Sequence, residues 1–142
     1  MSFVKINVHA VWGTKLRTSV LKPDILDSVC SHIKQNAKSK NIWIDTINGH
    51  GDHLHCLTEL HKELSICKQM QLIKGESSHW INKNNFFPFN FSWAEDFYAV
   101  SVSEKDLDAV RMYINNQQEH HSKMRFQEEC EQLKIRFRLL EG

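Results

Sequence analysis

Apolar and polar residues alternate in several short stretches of this chain, and this alternation predicts its β-strands. Side chains two residues apart point to the same face of a strand, so an alternating stretch buries one face and exposes the other. The predicted strands cover residues 3–12, 42–47, 53–60 and 97–102. The turn residues Asn48, Gly49, His50 and Gly51 predict that the second and third strands form a hairpin.

Between these strands, apolar residues recur at steps of three and four, which is the period of a helix with one buried face. The first helix begins at Pro23 and the second follows a Ser65 cap. A capping box of Ser103 and Asp106 predicts the start of the third helix. A loop is predicted over 82–92 and a final helix over 124–140, so the chain reads strand, helix, strand, strand, helix, strand, helix before its C-terminal stretch.

This order of elements is typical of the ferredoxin-like, or split βαβ, arrangement. It predicts an α+β fold, a four-stranded antiparallel sheet with helices on one face and extra C-terminal helices. The opposite face of the sheet is expected to stay open for a ligand. A length of 142 residues suits one domain, which we take as residues 1–142.

Two short patterns carry candidate chemistry. His53 and His55 lie two apart on a predicted strand, so their imidazoles project side by side, as two nitrogen ligands of a divalent metal do. Tyr113 and Gln117 lie four apart on a predicted helix and share its face. An amide oxygen that completes a metal site beside a tyrosine phenol indicates phosphodiester chemistry on DNA.

Neither pattern is specific when taken alone. With nine histidines in 142 residues, the number of His-x-His pairs expected by chance is about one half. Two histidines on an ordinary strand are therefore an alternative interpretation. Spacing alone also leaves Tyr98 and Tyr113 as equal candidates for the reactive tyrosine. Further candidates near such a site, each with an ordinary structural alternative, are Asp52, His9, His120 and His121.

Composition limits the class of protein. Hydrophobic residues make up 41% of the chain and charged residues 25%, and no segment is long and apolar enough to cross a bilayer. The N-terminus reads as a strand and lacks the features of a signal peptide, so a cytoplasmic location is expected. The four cysteines are scattered, which predicts free thiols. A net charge of +1 argues against a strongly electrostatic nucleic-acid binder.

In these patterns, and in most of its length, the chain resembles the single-tyrosine HUH transposases, the TnpA type of the smallest bacterial insertion sequences, including the REP-associated tyrosine transposases. The segments that carry the resemblance, in the same order as in that family, are 8–15, 51–55, 74–82, 91–93, 97–103 and 113–121. One departure is that Gly51 precedes Asp52 where the family commonly has a proline.

The resemblance implies a role for each candidate residue. His53 and His55 become metal ligands, Gln117 the third ligand, and Tyr113 the nucleophile, with Mg²⁺ or Mn²⁺ as the metal. It also implies cleavage of single-stranded DNA, expected to be a hairpin, with a 5′-phosphotyrosine and a free 3′ hydroxyl that allow rejoining without a nucleotide cofactor. A homodimer in a bacterial cytoplasm, with no membrane association, is expected on the same ground. The resemblance leaves open whether the tyrosine helix completes the site of its own subunit or that of the partner.

Other functions remain possible at this point. A ferredoxin-like module that binds nucleic acid without catalysis would stack bases on aromatic residues such as Trp43 and Tyr98. A domesticated relative would process DNA hairpins without moving an element of its own. A metal-dependent hydrolase or oxygenase of small molecules would use His53, His55 and a carboxylate.

Overall fold

The structure is a computed structural model that describes residues 2–117 together with Glu128 and Glu131. Apart from those two glutamates, the helix predicted over 124–140 lies outside the described residues. Short 3-10 turns at Lys15–Arg17 and Glu104–Asp106 accompany the main elements. The strands and helices, in chain order, are β1 (Asn7–Gly13), α1 (Pro23–Ser39), β2 (Ile44–His50), β3 (His53–Glu59), α2 (Ile66–Lys83), β4 (Tyr98–Val102) and α3 (Leu107–Asn115).

The four strands form one antiparallel sheet in the order β2-β3-β1-β4, which confirms the predicted α+β, ferredoxin-like fold. The central strands β1 and β3 contribute alternate residues to the main core, where α1 and α2 cover them. These inward residues of the two central strands are Val8, Ala10, Trp12, Leu54 and Cys56. Burial raises the pKa of the Cys56 thiol to about 12, so the thiol stays protonated.

The opposite face of the sheet is not the open platform that we expected from the sequence. Helix α3 packs against it, and Leu57, Leu107 and Ile114 form a second, smaller core there. His53 and His55 are each 0% exposed beneath this layer. The prediction failed because alternation along a strand tells which residues share a face and says nothing about which later segment covers that face.

Strand β1 begins later than the alternating pattern predicted. Its pairing to both neighbours stops at Asn7, which faces Glu59 on β3 and Val102 on β4. Val4 and Ile6, which belong to the same alternating pattern, are 42% and 45% exposed. A β-strand ends where its hydrogen-bonded neighbouring strands end, so periodicity alone overestimated the length of β1.

The hairpin turn is tighter than predicted. Strand β2 continues through Gly49, where a Cβ atom would collide with the backbone oxygen of His53. The turn consists of Gly51 and Asp52, and Gly51 has a φ of +58°. A proline has its φ fixed near −65°, so the proline that the similar family commonly has at the position of Gly51 could not adopt this positive φ. The glycine is therefore required by the turn that this chain forms.

The helix starts agree with their predicted signals to different extents. The Ser65 hydroxyl accepts a hydrogen bond from the backbone N–H of Lys68, 3.0 Å away, which confirms the predicted cap of α2. Ser103 instead donates to the Asp106 carboxylate at 2.9 Å, and these two residues precede and end the 3-10 turn that leads directly into α3. No helix within residues 2–117 combines the length and apolar character that a membrane span requires.

Candidate active site

The two histidines of β3 lie beside each other beneath α3. His53 faces Gly13 across the sheet and His55 faces Val11, so both rings leave the sheet on the side that α3 covers. Their ring centroids are 5.2 Å apart, and the ring planes are 72° to one another. The spacing of two residues thus produces the shared face that was predicted for the pair.

Asp52 fixes the orientation of the His53 ring. Its Oδ1 lies 2.9 Å from Nδ1 of His53, and the carboxylate remains partly exposed at the hairpin turn. When Nδ1 donates its hydrogen to Asp52, the lone pair of Nε2 stays available on the other side of the ring. That Nε2 atom lies 3.3 Å from Oε1 of Gln117.

Gln117 lies two residues past the end of α3 and is 0% exposed. Its Nε2 donates a hydrogen bond to the backbone oxygen of Tyr113 at 3.0 Å, one helical turn earlier. Because the amide nitrogen is used in this bond, the amide oxygen is the atom that faces His53. The four-residue spacing was predicted to place the two side chains on one face of the helix, and the bond observed here joins the Gln117 amide to the backbone of Tyr113.

The Tyr113 side chain packs against the histidines edge to face. Its ring centroid lies 5.5 Å from that of His55 and 6.0 Å from that of His9. His9, on β1, is itself buried, with Nε2 at 2.8 Å from Nδ1 of His55. One phenol therefore lies beside a cluster of buried nitrogen and oxygen donors that come from β1, β3 and the end of α3.

Helix α3 is anchored to its own sheet by residues that the sequence analysis did not single out. Arg111 forms a two-bond ion pair with Asp45 of β2, and Asn48 donates to the backbone oxygens of Ile114 and Asn115 at 3.1 and 3.2 Å. Hydrogen bonds from Arg111 hold the pKa of Asp45 below its ordinary value. No local pattern could have revealed the Arg111–Asp45 pair, because its members are 66 positions apart.

The structure brings together six of the eight site residues predicted from the sequence: His9, Asp52, His53, His55, Tyr113 and Gln117. The other two, His120 and His121, lie outside the described residues. Tyr98 lies on β4 opposite Val11, on the same face of the sheet as the histidines. Trp43, the residue proposed for base stacking, is 48% exposed next to β2.

The atoms available to hold a metal ion at this site are imidazole nitrogens and an amide oxygen. Within the part of the chain that the structure describes, no three His, Cys, Asp or Glu side chains are arranged to hold a metal ion. The third donor beside the two imidazoles is instead the Gln117 amide oxygen. Ligand atoms at neighbouring positions of a six-coordinate ion lie roughly 3 Å apart, and the 3.3 Å between His53 Nε2 and Gln117 Oε1 is close to that separation.

The fold and the site thus define an α+β domain whose antiparallel sheet carries paired buried histidines on the face that the tyrosine helix covers. The sequence model of the family described as "Transposase IS200 like" matches residues 2–117. The chain belongs to this family of IS200-like transposases, which confirms the resemblance drawn from the sequence motifs.

Solved structures agree with this assignment at the level of the fold. A putative transposase from Deinococcus radiodurans R1 is 22% identical, with a TM-score of 0.65 over 82% of this chain and 93% of that one. A REP-associated tyrosine transposase, solved bound to a REP hairpin, is 16% identical, with a TM-score of 0.62 over 87% of this chain and 73% of that one. A comparison with curated proteins finds no match.

Proposed function

We propose that this chain is a metal-dependent transposase that cleaves and rejoins single-stranded DNA, with Tyr113 as its nucleophile. The observation that carries the proposal is the convergence, within one chain, of the His53 and His55 imidazoles, the Gln117 amide oxygen and the Tyr113 ring. Membership of the IS200-like transposase family supports the same activity.

The residues fit a divalent cation, for which we propose Mg²⁺ or Mn²⁺. His53, His55 and Gln117 are neutral donors, and imidazole nitrogen suits Mn²⁺ better than it suits Mg²⁺. When bound, the cation would offset the charge that develops on the phosphate oxygens during displacement. Because the three side chains carry no negative charge, they would leave the full positive charge of the cation available to the phosphate oxygens.

The protein residues would then position the nucleophile and its substrate. Oη of Tyr113 attacks the phosphorus atom, the bond from phosphorus to the 3′ oxygen breaks, and the phenol proton passes to solvent while the leaving oxygen takes one up. The product is a 5′-phosphotyrosine with a free 3′ hydroxyl. In joining, a 3′ hydroxyl attacks the same phosphorus, the bond to Oη breaks and Tyr113 regains its proton, so no nucleotide cofactor is consumed.

For the substrate we propose a DNA hairpin with an adjoining single strand. One structural neighbour with the same fold was solved bound to a REP hairpin, which supports this choice. We also keep the expectation of a homodimer, for which sedimentation measurements are the direct test. Tyr113 lies against the histidines of its own chain, so we propose that each subunit of such a dimer contains a complete site.

The test of the proposed function uses labelled single-stranded hairpins, the purified protein and Mn²⁺. We expect a covalent protein–DNA adduct, resolved under denaturing conditions, that disappears in Tyr113→Phe and persists in Tyr98→Phe. Both substitutions remove one hydroxyl, and both residues lie on the same face of the sheet, so the second is a matched control. An adduct that persists in Tyr113→Phe would overturn the assignment of the nucleophile.

A second candidate function, nucleic-acid binding without cleavage, is favoured by the exposure of Trp43. In that case Trp43→Ala should weaken DNA binding, a chelator should leave binding unchanged, and no covalent adduct should form with any variant. The proposed transposase instead predicts an adduct that depends on the metal.

A further inference from the structure

We propose that His9 is a positioning residue that selects the tautomer of His55, and thereby directs the Nε2 lone pair of His55 toward the cation. This inference deepens the proposed function, on which it rests. It adds a second positioning residue beside Asp52, on a different strand from the two histidines that we propose as ligands.

The geometry places the two rings in direct contact. His9 Nε2 lies 2.8 Å from His55 Nδ1, and the ring centroids are 5.1 Å apart with planes 29° to one another. His9 pairs with Leu57 across the β1–β3 ladder, and His55 pairs with Val11, so the two histidines are diagonal neighbours on one face. The antiparallel register therefore places the two rings within hydrogen-bonding distance of each other.

A hydrogen bond between two neutral imidazoles needs one nitrogen that carries a hydrogen and one that carries a lone pair. If His9 donated, Nδ1 of His55 would be the acceptor and Nε2 of His55 would carry the hydrogen, which would prevent it from binding a metal. If His9 accepts, Nδ1 of His55 carries the hydrogen and Nε2 keeps its lone pair. Only the second arrangement leaves His55 able to act as a ligand beside His53.

His53, the other histidine that we propose as a ligand, has its Nδ1 oriented in the same way, but the acceptor there is a carboxylate. Nδ1 of His53 meets the carboxylate of Asp52, whose side chain is 23% exposed at the turn. His9 is 5% exposed, and a carboxylate at that depth would carry a large desolvation cost. A neutral imidazole acceptor performs the same orientation inside the core without burying a negative charge.

The test reads the tautomer directly. Long-range ¹H–¹⁵N correlation spectra of histidine-labelled, metal-free protein distinguish the protonated from the unprotonated ring nitrogen of His55. We expect the Nδ1–H form in the wild type and in His9→Gln, whose amide oxygen can accept the same hydrogen bond. In His9→Leu, which has no acceptor, we expect a mixture of tautomers.

Mn²⁺ affinity, measured by titration followed by electron paramagnetic resonance, is the second measurement. We expect a loss of about 10-fold to 100-fold in His9→Leu, the range usual for residues that orient metal ligands, and recovery to near the wild-type value in His9→Gln. His79→Gln, at an exposed position of α2, is the control and should change neither measurement.

An Nε2–H tautomer of His55 in the wild type would overturn the proposal, and so would equal losses of affinity in the Gln and Leu variants. If His9→Leu fails to fold, the wild type and His9→Gln still decide the tautomer. The two hypotheses can fail separately: absence of Mn²⁺ binding in the wild type would contradict the proposed function, whereas the tautomer of the metal-free protein tests His9 alone.

Discussion

Arg111 of α3 and Asp45 of β2 form an ion pair in which Nε and one terminal nitrogen of the guanidinium each lie 2.9 Å from a different carboxylate oxygen. A second terminal nitrogen meets Asp108, one helical turn earlier. Tyr113 is two residues further along the same helix. The pair therefore ties the helix of the proposed nucleophile to the sheet that carries the proposed metal ligands.

The first prediction concerns this anchor. Arg111→Lys keeps the charge but loses the two-pronged geometry, and Arg111→Ala loses both. Because displacement of the nucleophile by an ångström is costly to catalysis, we expect covalent adduct formation to fall about 10-fold in Arg111→Ala and less in Arg111→Lys. Mn²⁺ affinity should fall as well, since Gln117 follows the same helix. Arg17→Ala serves as a comparison, and an equal loss in that variant would contradict a specific role of Arg111.

The second prediction concerns pH. Arg111 lowers the pKa of the Asp45 carboxyl below the ordinary value of 3.8. A group with a depressed folded-state pKa contributes stability that is fully present above its unfolded pKa and is lost as the pH falls through the folded value. The free energy of unfolding of the wild type should therefore exceed that of Asp45→Asn at neutral pH, and the difference should shrink below pH 3.8. A difference that stays constant through this range would show that the charge of Asp45 is not the cause.

The third prediction concerns the amide ligand. Gln117→Ala removes the oxygen that faces His53, and we expect Mn²⁺ affinity to fall at least about 10-fold, together with a loss of adduct formation. Gln71→Ala, at an exposed position of α2, is the matched control and should leave both unchanged. Unchanged affinity in Gln117→Ala would remove this residue from the proposed ligand set.

The fourth prediction concerns the hairpin turn. Gly51→Ala places a Cβ in the left-handed region and 2.8 Å from the Ser19 hydroxyl, so we expect unfolding free energy to fall by about 1–2 kcal/mol. Gly75→Ala has nothing within 4 Å and lies in α2, so it should raise stability by about 0.5–1 kcal/mol. Urea denaturation of both variants measures the contrast, and equal effects would contradict the conformational explanation.

Local patterns in the sequence determined most of the secondary structure. The helices that begin at Pro23 and Ile66 and the strand that begins at His53 were all predictable, because period and capping depend on neighbours a few residues apart. The same reasoning placed His53 with His55 and Tyr113 with Gln117. The family resemblance then joined the two pairs into one expected site.

Tertiary structure decided how these pairs meet. The register of β1 on β3 puts His9 against His55, and α3 covers the face that the sequence suggested would be open. The Arg111–Asp45 pair, which anchors that helix, joins residues 66 positions apart. Periodicity reports which side chains share a face of one element, whereas the choice of the element that covers that face depends on contacts between distant segments, which form only when the whole chain packs.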